Sequence, residues 1–357
     1  MAGAPLSKSA RHPVEKGGAH SPGPSPACSN PIKRMDTKDS RPSVHGLHHV
    51  TVIAGDPQEN VDFYTRVLGM RLVKKSVNQD APDTYHLFYA DGVGSPGTDL
   101  TFFPWPDLPK AQPRVGQIVE VPFAVPSGSF DYWRERLEEH EVTIGEEERR
   151  FGERALPFQD PHGLRLALVE TDDEREFVPW AHSPVPAEHQ VRGMHAVRLW
   201  EHELSPTETL LTDVLGFEKI DTDDGWHRYG VEGGGSGTLA EVKVVDQQPR
   251  ASHRVGGTGA VHHAAWRMHD SDEELALRDF IERVGLQPTP QIDRHWFKSV
   301  YFREPGGVLF ELATDGPGFT VDEDQDALGT SLVLPPSMEN QRAEIEANLP
   351  PLDIPHP

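Results

Sequence analysis

The chain of 357 residues has a single cysteine, Cys28, so no disulfide can form within it. It has no run of about 18 or more apolar residues, which excludes an ordinary transmembrane helix. Its first residues lack the apolar core of a secretory signal. These absences fit a protein of the reducing cytoplasm. Positive charge is also scarce: 34 Lys and Arg stand against 57 Asp and Glu, a net charge of -23. Such a chain repels nucleic acid and anionic membranes, so neither is an expected partner. A well-solvated surface accounts for the acidity, and a salt-adapted host is the sharper alternative. With 36% hydrophobic residues there is enough apolar material for two domains of ordinary size.

Residues 1–43 are rich in Pro, Ser, Gly and Lys, show no apolar periodicity and are expected to be a disordered tail, which leaves Cys28 without a catalytic role. A chain beginning at Pro42 should therefore keep the melting temperature and rate of the full chain, and loss of folding on truncation would contradict this. From Gly46 a pattern begins and then returns. An apolar strand, Leu47 to Ile53, leads to Asp56-Pro57-Gln58-Glu59, a helix start with a cap and a Pro at the first turn. An amphipathic helix then stops at Leu68-Gly69, and three strands follow. The signals recur at Gly193-Met194-His195 with Ser205-Pro206-Thr207-Glu208, and at Val261-His262-His263 with Ser271-Asp272-Glu273-Glu274. A more degenerate copy runs from Gly116 through a helix at Phe130–Glu139. The expected fold class is α+β, built of four βαβββ modules that bury their open faces against one another. Residues 44–175 hold modules one and two, 190–325 hold modules three and four, and 326–357 form a C-terminal extension.

Strand side chains alternate between faces. His49 and Thr51 share one face of the first strand, and His263 and Ala265 share one in module four. Glu311 lies on the strand Val308-Leu309-Phe310-Glu311-Leu312, where a carboxylate is costly unless a cation compensates it. Two imidazoles and one carboxylate form the facial set of non-haem Fe(II) enzymes, and Mn(II) or Zn(II) use similar donors. Aligning the copies puts His195 where His263 stands and Glu241 where Glu311 stands. That second set is one ligand short, which favours His49, His263 and Glu311 and makes His195 and Glu241 a relic.

The segments Gly46-Leu47-His48-His49-Val50-Thr51, Tyr85-His86-Leu87-Phe88-Tyr89-Ala90-Asp91, Val261-His262-His263-Ala264-Ala265 and Gly307-Val308-Leu309-Phe310-Glu311 resemble the ring-cleaving dioxygenases of the glyoxalase/bleomycin-resistance/extradiol dioxygenase superfamily, the vicinal-oxygen-chelate proteins. The nearest resemblance is to the hydroquinone-type branch. It covers about residues 44 to 353, including the tail Asp315-Gly316-Pro317-Gly318-Phe319-Thr320-Val321-Asp322-Glu323. The resemblance implies two vicinal-oxygen-chelate domains and Fe(II) on His49, His263 and Glu311. It also implies a neighbouring polar set of His48, Thr51, His262, Arg294 and Tyr301. By simple alternation His48 and His262 should point away from the metal. The implied reaction inserts both atoms of dioxygen into a hydroquinone or catechol ring, the partners being a small aromatic diol and O2. Trp296 and Phe297 are candidates to clamp the ring. A homo-oligomer is compatible with the resemblance. The rival readings are a metal-dependent glyoxalase-like isomerase and a ligand-binding module without chemistry.

Overall fold

Asp56 accepts hydrogen bonds from the amides of Gln58 at 2.8 Å and Glu59 at 3.0 Å, with Pro57 at the first helical position, so the first module's helix starts where the sequence signals it. The computed structural model describes residues 42–354 apart from 174, 247 and 251–255. The tail expected over 1–43, Cys28 included, lies outside the described residues except for Pro42 and Ser43.

Module one runs β1 (Leu47–Ala54), α1 (Pro57–Asp62), β2 (Arg71–Asn78), β3 (Ala81–Ala90) and β4 (Asp99–Pro104). Module two runs β5 (Gln117–Pro126), α2 (Phe130–Glu139), β6 (Glu148–Arg150), β7 (Glu153–Gln159) and β8 (Arg165–Thr171). Module three runs β9 (Ala196–Glu201), α3 (Leu204–Thr209), β10 (Glu218–Asp223), β11 (Trp226–Gly230) and β12 (Leu239–Val244). Module four runs β13 (Val261–Met268), α4 (Ser271–Arg283), β14 (Ile292–Asp293), β15 (Lys298–Arg303) and β16 (Leu309–Thr314), and α5 (Arg342–Asn348) lies in the C-terminal extension. Modules one and three share a finer signature. In both, the helix widens into a π-turn, Phe63–Val67 and Leu210–Val214, before a left-handed glycine, Gly69 at φ 70° and Gly216 at φ 87°.

Two helix starts differ from the sequence pattern. Asp270, one residue before Ser271, caps α4 by accepting from the amides of Asp272 and Glu273. Its short carboxylate reaches both amides and carries the charge that a helix N-terminus favours. Helix α3 starts at Leu204, so Ser205 sits inside the first turn and caps nothing. Pro206 is still tolerated there, because first-turn amides have no acceptor within the helix.

The described residues form two eight-stranded sheets, ordered β14-β15-β16-β13-β1-β4-β3-β2 and β10-β11-β12-β9-β5-β8-β7-β6. The first joins module one to module four and the second joins module two to module three, each through one antiparallel seam, β1 with β13 and β5 with β9. Sheet and helix side chains including Tyr64, Tyr89, Trp133, Phe123 and Trp266 are fully buried in the core. No helix of the described residues is long and apolar enough to cross a membrane.

At the end of β9, Glu201 sets its carboxyl against that of Glu304, both almost without solvent exposure. Neither Glu201 oxygen meets a hydrogen-bond donor. Burial first, and then the mutual repulsion of the two groups, raises the Glu201 pKa well above the usual carboxylate range. The folded state therefore binds a proton that the unfolded chain releases above a pKa of about 4.3, so stability falls as pH rises through and beyond that value. Glu201→Gln keeps the shape and supplies a permanent N–H toward Glu304. Its melting temperature at pH 8 should exceed the parent's by roughly 2–6 °C, the gain vanishing near pH 4. A lower melting temperature at pH 8 would contradict the shared-proton account.

Candidate functional site

The β1–β13 seam carries two β-bulges. Leu47 pairs with Trp266 and His49 with Ala265, which leaves His48 as the extra residue, while Thr51 pairs with His263 and Val52 with Val261, which leaves His262 as its counterpart. The parallel partner β16 then sets Glu311 beside Ala265, and β15 sets Tyr301 beside Glu311. Four adjacent strands thus place His49, His263, Glu311 and Tyr301 on one face.

The donor atoms converge. His263 Nε2 lies 2.8 Å from Glu311 Oε2, His49 Nε2 lies 3.3 Å from the same oxygen, and the two Nε2 atoms are 3.3 Å apart. All three residues are buried, Glu311 completely. Neighbouring ligands on one ion with bonds of about 2.1 Å have this spacing. Neither Glu311 oxygen accepts a hydrogen bond in adequate geometry, an expensive state for a buried carboxylate that a bound cation removes. Burial alone would push Glu311 up, but the facing imidazoles outweigh it and hold the carboxyl ionised, well below its usual range. The residues present therefore fit a divalent metal ion. A second grouping among the described residues, His45, Glu232 and His269, lies at the surface. There His45 is already bonded to Glu232 at 2.6 Å and Glu273 at 3.2 Å.

His48 and His262 do not point away as alternation predicts, because the bulges turn them back. His48 Nδ1 meets His49 Nδ1 at 2.9 Å, and His262 Nδ1 meets His263 Nδ1 at 2.7 Å. Burial, and then the neighbouring imidazole, lowers both to about 3, so each is neutral and can accept the Nδ1–H of the adjacent ligand. A proton on Nδ1 of His49 and of His263 in these contacts would leave each Nε2 free toward Glu311, the arrangement a metal-binding histidine needs.

His49 and His263 line a cavity of about 250 Å³ whose walls also include His86, Phe88, His262, Arg294, Trp296, Phe297 and Tyr301. An apolar cavity of about 150 Å³ suffices for benzene, so a single substituted ring fits. The Phe297 ring centre is 5.0 Å from that of His49. Tyr301 lies edge-on to His263 at 5.6 Å, and the Arg294 guanidinium sits 5.5 Å from the Tyr301 ring. Burial, and then the Glu311 charge, raises the Tyr301 phenol well above its usual value, so it remains a donor at neutral pH. Thr51 stands apart from the cavity lining. Its hydroxyl meets that of Thr101 at 2.8 Å, and Thr101 meets His86 Nε2 at 2.9 Å. His86 escaped the sequence reading, although an inward histidine alternating with Phe88 on β3 was the available signal. Asp99, beside His49 in register, escaped it as well. Burial raises Asp99 to about 7.

The second sheet corrects the sequence alignment of the relic. Glu241 pairs with Arg198 as Glu311 pairs with Ala265, and Arg228 pairs with Glu241 as Tyr301 pairs with Glu311. Ala196, one residue beyond His195, therefore occupies the position of His263, and Glu120 occupies that of His49. His195 instead matches the bulged His262. Arg228 grips Glu241 through Nε at 3.0 Å and Nη2 at 2.7 Å, and Arg198 Nε lies 2.9 Å from the other oxygen. Guanidinium groups supply the positive charge there, where the first sheet sets histidines able to hold a metal ion.

Residues 46–168 and 194–312 match the glyoxalase/bleomycin resistance protein/dioxygenase superfamily model. The chain is 42% identical over 314 residues to a Bacillus subtilis protein provisionally named ring-cleaving dioxygenase MhqA, covering 87% of this chain and 99% of that one. It is 34% identical to the chlorohydroquinone/hydroquinone 1,2-dioxygenase of Sphingobium indicum, over 85% of this chain and 95% of that one. A crystal structure of a provisionally named dioxygenase from Bacillus subtilis superposes with a TM-score of 0.82 at 37% identity, covering 89% of this chain and 100% of that one. The chain belongs to the glyoxalase/bleomycin resistance protein/dioxygenase superfamily.

Proposed function

We propose that this chain is an Fe(II)-dependent ring-cleaving dioxygenase of the extradiol type that opens hydroquinone-type rings, with His49, His263 and Glu311 as the metal ligands. The observation that carries the reading is the buried two-histidine, one-carboxylate face opening into an aromatic-walled cavity the size of one ring. The relatives named for ring cleavage and for hydroquinone cleavage, matched over most of the chain, support it. When bound, Fe(II) acidifies a coordinated hydroxyl and provides the electronic path between ring and dioxygen. The protein does the rest. Phe297 and Trp296 hold the ring plane, and Arg294 faces a polar substituent remote from the metal face. Tyr301 donates a hydrogen bond beside Glu311, where negative charge develops on oxygen. Neutral His262, at the cavity wall, offers its Nε2–H as a hydrogen-bond donor to the bound substrate. Two atoms of oxygen enter the ring, and an acyclic acid–aldehyde leaves. A cytoplasmic location fits a chain with one cysteine.

The test is oxygen uptake by protein loaded anaerobically with Fe(II), Mn(II) or Zn(II), over a panel of hydroquinones and catechols. Uptake stoichiometric with ring opening, with Fe(II) and a hydroquinone giving the highest rate, is expected. Turnover of a hemithioacetal without oxygen uptake would point instead to an isomerase.

A further inference from the structure

The cavity lies on the inner face of a curled sheet whose two edges, β2 and β14, are not hydrogen-bonded to each other in the strand order. The tail Asp315–Glu323 and the residues after it lie along that gap. Arg71 Nη2 on β2 donates to Gln325 O at 2.8 Å, Lys75 forms a bridge to Leu332, and Val333 N donates to Lys75 O at 3.0 Å. The segment also reaches inside, where Phe319 and Leu328 pack with Phe88, Trp296 and Phe297.

One carboxylate ties the two edges. Lys74 on β2 is fully buried, an unusual place for an ammonium group unless it is paired. It donates to Asp322 Oδ1 at 2.6 Å and Phe319 O at 3.1 Å, and it also pairs with Glu323. The other oxygen of Asp322 receives His295 Nε2 and Trp296 Nε1, both at 2.9 Å, from the loop that follows β14. His295 holds φ 77°, a left-handed conformation that strains a non-glycine residue and persists only where surrounding contacts enforce it. That residue lies between two cavity residues, Arg294 and Trp296. Across the same gap, Gln79 Nε2 donates to Arg294 O at 3.0 Å and Arg294 Nη2 donates to Asp80 at 3.2 Å.

We propose that Asp322 is a positioning residue for ring binding: by joining Lys74 on one sheet edge to His295 and Trp296 on the other, it sets the cavity's width and the aim of Arg294. This rests on the reading of the cavity as a ring site. Asp322 does not reach the metal donors, so its loss acts on binding rather than on the chemistry of bound substrate.

The experiment compares the full-length Fe(II) holoprotein with Asp322→Ala, Asp322→Asn and His295→Gly. Methylhydroquinone binding is measured anaerobically by calorimetry, and KM and kcat aerobically. Asp322→Ala should retain one metal per chain and raise Kd and KM roughly tenfold, with kcat within about twofold, since hydrogen bonds to a charged group are lost. Asp322→Asn keeps an acceptor for His295 and Trp296 and should recover most of that loss. Glycine accepts φ 77°, so His295→Gly should keep or raise the melting temperature yet weaken binding by about threefold. Unchanged Kd in the folded, metal-loaded variants overturns the proposal, as does an equal fall in kcat for every substrate. Should Asp322→Ala fail to fold, the other two variants decide. If the wild type binds no hydroquinone, the ring-site reading fails by itself. The positioning claim is then read from Trp296, isolated by difference against Trp296→Phe: Asp322→Ala should open its indole to acrylamide quenching, and unchanged quenching overturns the claim.

Discussion

His49→Ala, His263→Ala and Glu311→Ala should each give a folded protein that retains no stoichiometric metal and turns over more than about a hundredfold more slowly, since losing a mere supporting residue of a metal ligand already costs ~10–100-fold. Each of the three comes from a different strand of the first sheet, and each donor lies within 3.3 Å of the other two. Of the register partners of His49, Ala265 offers no donor and Asp99 lies outside the group of converging donors. Glu311→Gln should behave alike for metal while folding well. It removes a charge that only the ion and the imidazoles balance. The matching position in the second sheet should give the opposite split. Glu241→Ala takes one carboxylate from the buried Arg198 and Arg228, leaving Glu120 to the first and Glu153 to the second, and should lower stability by about 1–3 kcal/mol while metal content stays the same. Metal analysis together with thermal melts separates these outcomes. Metal lost from the Glu241 variant and kept by the Glu311 variant would mean that the wrong sheet has been assigned.

Arg294→Ala should reduce turnover of a hydroquinone by roughly 10–100-fold and that of a catechol by less than about threefold. A catechol offers both hydroxyls to the metal face. A hydroquinone offers one, and its second lies across the ring, where the cavity must supply the partner. Arg294 lines that cavity, is held through Asp80 and Gln79, and leans toward the Tyr301 ring. Its removal takes the cation from a wall that otherwise holds aromatic rings and the neutral or acidic Asn78, Gln79 and Asp80, so the loss should appear for the para-diol. Steady-state kinetics on methylhydroquinone and 4-methylcatechol test this. Equal losses for both, or a wild-type preference for catechol, would leave the ring-cleaving reading standing without its hydroquinone specificity.

Local patterns carried much of this fold into the sequence. The Asp56-Pro57 start, the Leu68-Gly69 stop and the helix at Phe130–Glu139 rest on capping, glycine conformation and periodicity, which act within a few residues. The alternation that placed His49 with Thr51 also held. Alternation failed at His48 and His262, since a bulge depends on how β1 meets β13, more than 200 residues away in sequence. The same non-local register moved the counterpart of His263 from His195 to Ala196 and revealed Glu120 in the place of His49. His86 and Asp322 stood in the resembling segments without an assigned role for a related reason. Each takes its role from partners on distant segments, Thr101 for one and Lys74 with Trp296 for the other.

The most direct test of the central claim is the mass of the product formed by the Fe(II) protein from methylhydroquinone under isotopically labelled dioxygen, trapped by reduction before the aldehyde exchanges with water. The account predicts an acyclic product with the mass of the substrate plus both labelled oxygen atoms and the hydrogens added by the trapping reduction. A product that carries no label, or an intact quinone with the label released as peroxide or water, would contradict it.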